Sequence, residues 1–341
     1  MRILLLADTH IGFDLPSRPR VTRRRRGHDF LANFRRALQP ALAGEVDLVV
    51  HGGDLLHRSK VPPGVVEMAM QPLMQVAASG IPVYLVPGNH ERSQIPMHLW
   101  ASHPLIHIFD RPRTFLQAVG DRTVALSGFP FVRDVRDRFT SLIEATDQRR
   151  VEADVSLLCI HQAVEGSRVG NGGQGDFTFR YGTDVVRGHH IPPGFDAVLS
   201  GHIHRAQVLR QNLHGVPLAA PVIYPGSVER TSWAERGEEK VCAVVTVDES
   251  GASARGPCAV EWVPLHARPM VDLTVRSAPA REAFEAELLG RLHQLQSDAI
   301  VRVHLQGPPH RGAQLALGAQ NLRRLAPATM NISAARVPEA G

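Results

Sequence analysis

A layered α/β domain followed by a small β-α-β module is the architecture this 341-residue sequence predicts. Three observations carry that reading. Up to Gly201, short apolar runs rich in branched residues alternate with longer amphipathic stretches, the pattern of a largely buried sheet covered by helices. After Gly201 the helical periodicity stops and strand-like runs follow one another. Near Pro264 to Pro269 the pattern changes again, to one strand, one helix and one strand.

Taken in order, "RILLLAD" reads as a strand, "GHDFLANFRRALQPAL" as a helix and "VDLVVHGGD" as a strand. "PGVVEMAMQPLMQVAAS" is a helix and "IPVYLVPGNH" a strand. "TVALSGF", "DVSLLCIHQ" and "DAVLSGHIH" are strand-like, with "VRDVRDRFTSLIEATDQRR" a helix before the second of them. "AQVLRQ", "PVIYPGS", "VCAVVTV" and "AVEWVPL" then read as consecutive strands. "MVDLTVRS", "AREAFEAELLGRLHQL" and "AIVRVHLQG" make the final β-α-β unit, and the Ala- and Arg-rich tail beyond Gly318 shows no pattern. The expected boundary lies near residue 266, with one domain over 1–265 and a second over 266–341.

At 43% hydrophobic and 21% charged residues, the composition is that of a globular chain able to bury a substantial core. Cys159, Cys242 and Cys258 lie in or beside strand-like runs, form no C-x-x-C pair and are odd in number. A disulfide framework or zinc ribbon is therefore excluded in favour of small buried hydrophobes in a reducing, cytoplasmic setting. The N-terminal apolar run Ile3–Ala7 ends at Asp8, far short of the roughly 7–15 residues of a secretory segment or the roughly 20 of a membrane helix. The net charge of +5 favours a polyanionic partner. Its densest cluster is "SRPRVTRRRRGHDF", with Arg18, Arg20, Arg23, Arg24, Arg25 and Arg26, which reads either as a solvated loop or as a phosphate-contacting rim.

The strand endings carry the chemistry. "ADTHIG" supplies Asp8 and His10, "HGGDLLH" supplies Asp54 and His57, and "PGNHE" supplies Asn89 and His90. "CIHQ" supplies His161, and "SGHIH" supplies His202 and His204. In open α/β sheets ligands bind beyond the carboxyl ends of the strands, so five such endings are expected to converge. On a strand, positions i and i+2 project to one side, which pairs Asp8 with His10 and His202 with His204 and sends Asn89 and His90 different ways. Seven oxygen or nitrogen donors without a thiolate exceed one tetrahedral zinc and suit two divalent ions sharing a carboxylate and a hydroxide. Imidazole, carboxylate and amide donors favour manganese, iron or zinc over calcium. Such a centre keeps a surplus of about one positive charge, which attracts a phosphate ester and stabilises its transition state.

The ordered series D-x-H, G-D, G-N-H-E, H, G-H-x-H resembles the calcineurin-like metallophosphoesterase superfamily. The resemblance implies a β-sandwich flanked by helices with a dinuclear centre at one sheet edge. It implies that Asp8, His10, Asp54 and His204 hold one ion, that Asp54, Asn89, His161 and His202 hold the other, and that Asp54 bridges them. A bridging hydroxide is the implied nucleophile, with His90 as general acid or transition-state donor. The placing of His57 and the segment "VIYPGSVERTSWAERGEEK" are similar to the SbcD-type DNA repair exonucleases. In that family the histidine at the position of His57 helps to position substrate and active-site groups, and a capping domain like the module after residue 266 orients DNA. Manganese is the first expectation for the metal.

DNA is then the implied substrate, contacted by Arg23 to Arg26 through its backbone phosphates. With only 5% aromatic residues and no interleaved aromatic platform, backbone handling is expected over base readout. The same centre could instead serve a small-molecule phosphodiesterase or phosphatase, or the chain could be a non-catalytic module that binds DNA ends. Relatives that work with an SbcC-type coiled-coil ATPase carry further C-terminal helices. This sequence stops at Gly341, so the expectation is a partner absent or bound differently, or a separate coiled-coil ATPase of the kind paired with shorter bacterial relatives. The helix around residues 64–78 is apolar nearly all round (Val65, Val66, Met68, Met70, Leu73, Met74, Val76), which fits burial in its own core or a homodimer face of the kind the family places there. His98, His103, His107, His189 and His190 lack strand-end placement and are read as surface or structural.

Overall fold

The computed structural model describes residues 1–14, 24–91, 102–170, 175–247 and 258–335. The chain divides into two compact units, Met1–Phe13 with Asp29–His266, and Asp14–His28 with Ala267–Gly341.

The first unit contains β1 (Arg2–Leu6), α1 (Arg26–Ala37, from Asp29 on), α2 (Gln39–Leu42), β2 (Leu48–His51), α3 (Pro63–Ala78), β3 (Val83–Leu85), β4 (Ile106–Ile108), β5 (Arg113–Val119), β6 (Arg122–Gly128) and α4 (Val135–Glu144). It continues with β7 (Val155–Ile160), the short β8 (Ala163–Val164), β9 (Arg168–Gly170), β10 (Asp176–Thr178) and β11 (Val185–Val186), then β12 (Ala197–Ser200), β13 (Gln207–Gln211), β14 (Pro217–Tyr224), β15 (Val241–Val247) and β16 (Cys258–Pro264).

Two six-stranded sheets result, in the orders β16-β15-β1-β2-β3-β4 and β13-β14-β12-β7-β6-β5. In the first, β1 to β4 run parallel; in the second, β14, β12, β7 and β6 do. Alternation along β1 shows how the layers form. Ile3 and Leu5 pack between the sheets with Leu126, Leu157, Leu199 and Ile223, whereas Leu4 and Leu6 face outward under Phe30, Phe34 and the α3 side chains. Leu158, Ile160, Val198 and Val222 face the other way, against Phe139 and Leu142 of α4. Both faces of both sheets are covered, which is why the strands read as near-continuous apolar runs. The architecture is the expected sandwich of two mixed sheets flanked by helices.

Several details differ from expectation. The helix expected over "GHDFLANFRRALQPAL" breaks at Leu38, where Pro40 cannot continue the hydrogen-bond ladder, leaving the four-residue α2. The helix around residues 132–150 shortens to α4, with Asp134 in a left-handed conformation before it. Strands β4 and β5, which lie in different sheets, and the short strands β8 to β11 are additions to the expected elements. On α3, Val66, Met70, Leu73 and Val76 are buried in the chain's own core, Val65, Met68 and Met74 pack against it half-buried, and Glu67, Gln71 and Gln75 are exposed. Cys159, Cys242 and Cys258 are buried and form no disulfide, and burial pushes the Cys242 thiol up to about 12. No helix among the described residues is long and apolar enough to cross a membrane.

The second unit holds β17 (Met270–Arg276), α5 (Arg281–Leu292), β18 (Ile300–Gln306), α6 (Arg311–Ala316), α7 (Ala319–Leu325) and β19 (Asn331–Ala334), with a three-stranded parallel sheet in the order β17-β18-β19. The β-α-β unit is thus extended by α6, and by α7 and a third strand, β19, from the patternless tail. Arg18, Arg20, Arg23 and His98 lie outside the described residues. Arg25 is 2.8 Å from Asp14 Oδ1, and Arg24 is 3.8 Å from Asp298, so two of the cations expected to meet phosphate are paired with carboxylates of this unit. The backbone N–H of Arg26 donates to Asp14 Oδ2.

Arg268 is fully buried and donates to the carbonyls of Asp298 (2.8 Å) and Thr329 (3.0 Å) and to Asn331 Oδ1, tying the ends of β18 and β19 together. Arg268→Met leaves those acceptors unpaired, and a loss of about 2–4 kcal/mol is expected. Chemical unfolding followed by hydrogen exchange of the β18 amides measures it; unchanged protection would refute the assignment.

Candidate metal centre

The carboxyl ends of β1, β2, β3, β7 and β12 meet at one edge of the sandwich. Parallel pairing continues past the strands into the loops: Gly52 N–H donates to the Leu6 carbonyl (2.8 Å), Asp8 N–H to Gly53 (2.8 Å), His10 N–H to Asp54 (3.0 Å) and Ile11 N–H to Leu55 (2.8 Å). A parallel bridge between Ala7 and Ser227 links the end of β1 to the segment after β14 in the other sheet. The loops carrying Asp8 and Asp54 are therefore zipped to each other before any side chain is considered.

The strands end earlier than the alternation argument assumed. β1 stops at Leu6 and β3 at Leu85, so Asp8, His10, Asn89 and His90 lie in loops. Backbone conformation aims these side chains instead. Asp8, His10, Asp54 and His202 all have positive φ (52°, 45°, 52° and 82°), a region that non-glycine residues adopt at a cost of about 1–3 kcal/mol and that clusters at functional sites.

All seven residues expected to bind metal adjoin one another. Ligand atoms of Asp8, His10 and His204 lie within 4.8 Å of one another, as do those of Asp8, Asp54 and His161, and those of His10, His57 and His90. His10 Nε2 is 3.1 Å from His204 Nε2. Asn89 Oδ1 is 3.1 Å from His161 Nε2 and 3.0 Å from His202 Nδ1. Two donors about 2.1 Å from one ion at a right angle sit about 3.0 Å apart, so these separations match adjacent corners of a coordination sphere. Asp8 belongs to two of the three groups, while Asp54 Oδ2 reaches His161 at 3.4 Å and His90 at 3.8 Å.

Ring orientation follows from fixed acceptors. A carbonyl can only accept, so His161 Nδ1 donates to Gly52 O (2.7 Å) and His90 Nδ1 donates to His57 O, leaving each Nε2 free to face the site. Asp8 Oδ1 is buried, with no hydrogen-bond partner among the described residues, and faces His204 Nε2 at 3.7 Å. An acceptor buried in that way costs free energy unless a cation takes its lone pairs. The residues present thus fit a dinuclear centre without thiolates.

Burial pushes Asp8 up to about 6 against the pull of His161 and His204. Burial opposes ionisation of Asp54 too, but His161, His10 and His90 outweigh it and hold the carboxyl well below the usual range. Burial would also lower His161, yet the Asp54 carboxylate dominates and raises it to about 9. Burial lowers His202 to about 3, and burial with the neighbouring His90 lowers His57 to about 4.

Sequence reasoning missed the supports beneath this cluster. Glu91, buried, accepts from the backbone N–H groups of Asp54 (3.0 Å), Leu56 (2.7 Å) and Gly88 (2.7 Å), stapling the β2 loop to the β3 loop. His51 is buried as well. Gly53 N–H donates to its Nδ1 (3.2 Å), so its Nε2 donates to Thr9 Oγ1 (3.1 Å), which in turn donates to the Leu55 carbonyl (3.1 Å). Both residues stood inside motifs quoted above, and only their burial marks them. His103 and His107 lie in or beside β4, where His107 stacks on Tyr84, and His189 and His190 pack edge to face; none joins the cluster.

Fold and site together define a metallophosphoesterase-type protein. The family description "calcineurin-like phosphoesterase" matches residues 1–206, and the chain belongs to that family. It is similar to the DNA double-strand break repair protein Mre11 of Archaeoglobus fulgidus, with 25% identity over 67% of this chain and 50% of that protein. The Mre11 protein of Methanopyrus kandleri is 25% identical over 70% of this chain and 51% of its own length. The chain spans about half the length of the curated relatives it matches. Among solved structures, TT1561 of Thermus thermophilus superposes with a TM-score of 0.45 at 13% identity, covering 78% of this chain and 99% of that one.

Gly88 sits where a Cβ would lie 2.2 Å from Asp54 Oδ1 and 2.4 Å from the Asp54 backbone nitrogen, so only glycine lets the β3 loop approach so closely. Gly88→Ala is expected to weaken manganese binding by about tenfold or more, because the displaced group is backbone and cannot swing aside. Manganese titration checks this, and wild-type affinity in the variant would contradict it.

Proposed function

We propose that this chain hydrolyses phosphodiester bonds in DNA, as a dinuclear-metal-dependent nuclease of the repair type. The observation that carries the reading is the meeting of Asp8, His10, Asp54, Asn89, His161, His202 and His204 at one sheet edge, in a family whose members are phosphoesterases. The likeness to repair proteins supports DNA as the substrate class. Two divalent ions, manganese first among them, would supply Lewis acidity and a water-derived nucleophile. In this reading Asp8, His10, Asp54 and His204 hold one ion, and Asp54, Asn89, His161 and His202 the other.

His90 is assigned as the general acid. Its Nδ1 is committed to the His57 carbonyl, so only Nε2 can exchange a proton with a substrate, and the side chain is 32% exposed, open to a ligand. His57, beside it with ring centroids 5.7 Å apart, is assigned to substrate positioning, and its carbonyl fixes the His90 ring. The first domain, over 1–265, is assigned as the nuclease and the second, over 266–341, as a capping module that orients DNA. An SbcC-type coiled-coil ATPase is the partner this class implies.

Labelled single- and double-stranded DNA ends, incubated with manganese and with chelator, test the proposal. Metal-dependent shortening is expected; cleavage of cyclic nucleotides or dinucleotides with DNA left intact would favour the small-molecule reading. His90→Ala is expected to keep its metal and its DNA binding while cleavage falls by about 10²-fold or more, the usual cost of losing a general acid. Unchanged turnover would remove His90 from the mechanism, and a wild-type protein that binds DNA ends without cutting them would favour the non-catalytic reading.

A further inference from the structure

The segment "VERTSWAERGEEK" follows β14 and supplies no proposed ligand, yet it buries a charged cluster against one of them. His204 Nδ1 lies 3.1 Å from Glu235 Oε1. A carboxylate can only accept, so the ring donates from Nδ1 and its Nε2 is left facing His10 and Asp8. The same Oε1 also accepts from the Thr231 backbone N–H (3.2 Å) and hydroxyl, and from the Ser232 hydroxyl (3.3 Å). Oε2 accepts from Lys240 Nζ (2.7 Å) and the Ser227 hydroxyl (3.3 Å).

Lys240, whose side chain is 1% exposed, donates further to Ser227 Oγ (2.9 Å), to Glu238 (3.3 Å) and to the backbone carbonyl of His204 itself (3.0 Å). One ligand residue is therefore gripped at both ends: its ring through Glu235 and its backbone through Lys240. Burying an ion pair gains little stability over apolar residues of the same volume, so stability alone does not account for a Lys–Glu pair in this place. A carboxylate behind a metal-binding imidazole fixes its tautomer and raises its basicity.

We propose that Glu235, with Lys240 as its counter-ion, is a positioning residue of the metal centre, acting through His204. This rests on the proposed centre, and the test separates the two. Manganese is titrated by calorimetry into the wild-type protein, Glu235→Gln, Lys240→Met and the double variant, with melting temperature recorded for each. Glu235→Gln keeps the shape of the side chain, and manganese affinity at one site is expected to fall about 10- to 100-fold.

Lys240→Met leaves a buried carboxylate unpaired and is expected to melt earliest. The double variant removes both charges and is expected to regain much of that melting temperature while its manganese affinity stays low. If the double variant, or Glu235→Gln alone, binds manganese as the wild type does, the pair is structural and the proposal fails. Should Lys240→Met not fold, Glu235→Gln decides, since weakened manganese binding at an unchanged melting temperature supports positioning and unchanged binding refutes it. A wild-type protein that takes up no manganese, zinc or iron overturns the metal centre, and the positioning role with it.

Discussion

Asp8 and Asp54 bring two carboxylates into a nearly solvent-free site ringed by imidazoles, and the polypeptide around them is arranged to tolerate that charge. Burial alone would neutralise both acids, and His161 opposes it for both, prevailing only at Asp54. The four left-handed residues that aim the cluster store further strain. A backbone holds such conformations only when its surroundings over-determine them. Here they do: each strained residue is flanked by hydrogen bonds reaching a different strand end, from the Asp8 N–H to Gly53, from the His10 N–H to Asp54 and from the His202 N–H to Asp8.

The sandwich supplies that over-determination. Its central strands are buried on both faces, so Ile3, Leu4, Leu5 and Leu6 are all inaccessible, and the register of β1 against β2 cannot slip without turning core residues to the wrong layer. A fixed register fixes where each strand stops, and the loops that start there carry the proposed ligands. Glu91 and the Thr9–His51 link then extend the same rigidity from the strands into the loops, where the backbone would otherwise be free. The order of the site is thus inherited from the packing of the sheets.

The residue types of the site were legible in the sequence because they interrupt apolar runs in one ordered series, D-x-H, G-D, G-N-H-E, H and G-H-x-H. Their aim was not legible. Alternation along a strand was the available rule, and it fails past Leu6 and Leu85, where torsion angles decide. Glu91, His51, Glu235 and Lys240 escaped for a related reason: each works through a partner distant in sequence, such as the Asp54 amide for Glu91 or the His204 ring for Glu235, and nothing local marks the pairing. Strands β4 and β5 were hidden because β4 has only three residues and β5 is largely half-exposed, so neither shows a clean period. In α3 the exposed Glu67, Gln71 and Gln75 recur at four-residue spacing, a polar stripe that the surrounding apolar residues mask in the sequence.

Three histidines share one device, and its variations separate their roles. His161, His90 and His204 each commit Nδ1 to an acceptor and present Nε2. For His161 and His90 the acceptor is a backbone carbonyl, which orients the ring without adding charge. For His204 it is a carboxylate balanced by a buried ammonium, which orients the ring and makes it a stronger donor to a cation. Exposure makes the second distinction. The His161 side chain is 0% exposed and can meet only what the protein holds, whereas His90, at 32%, opens toward whatever enters from outside. The same ring orientation thus suits the proposed ligand role where the ring is sealed in and the proposed proton-donor role where it is not.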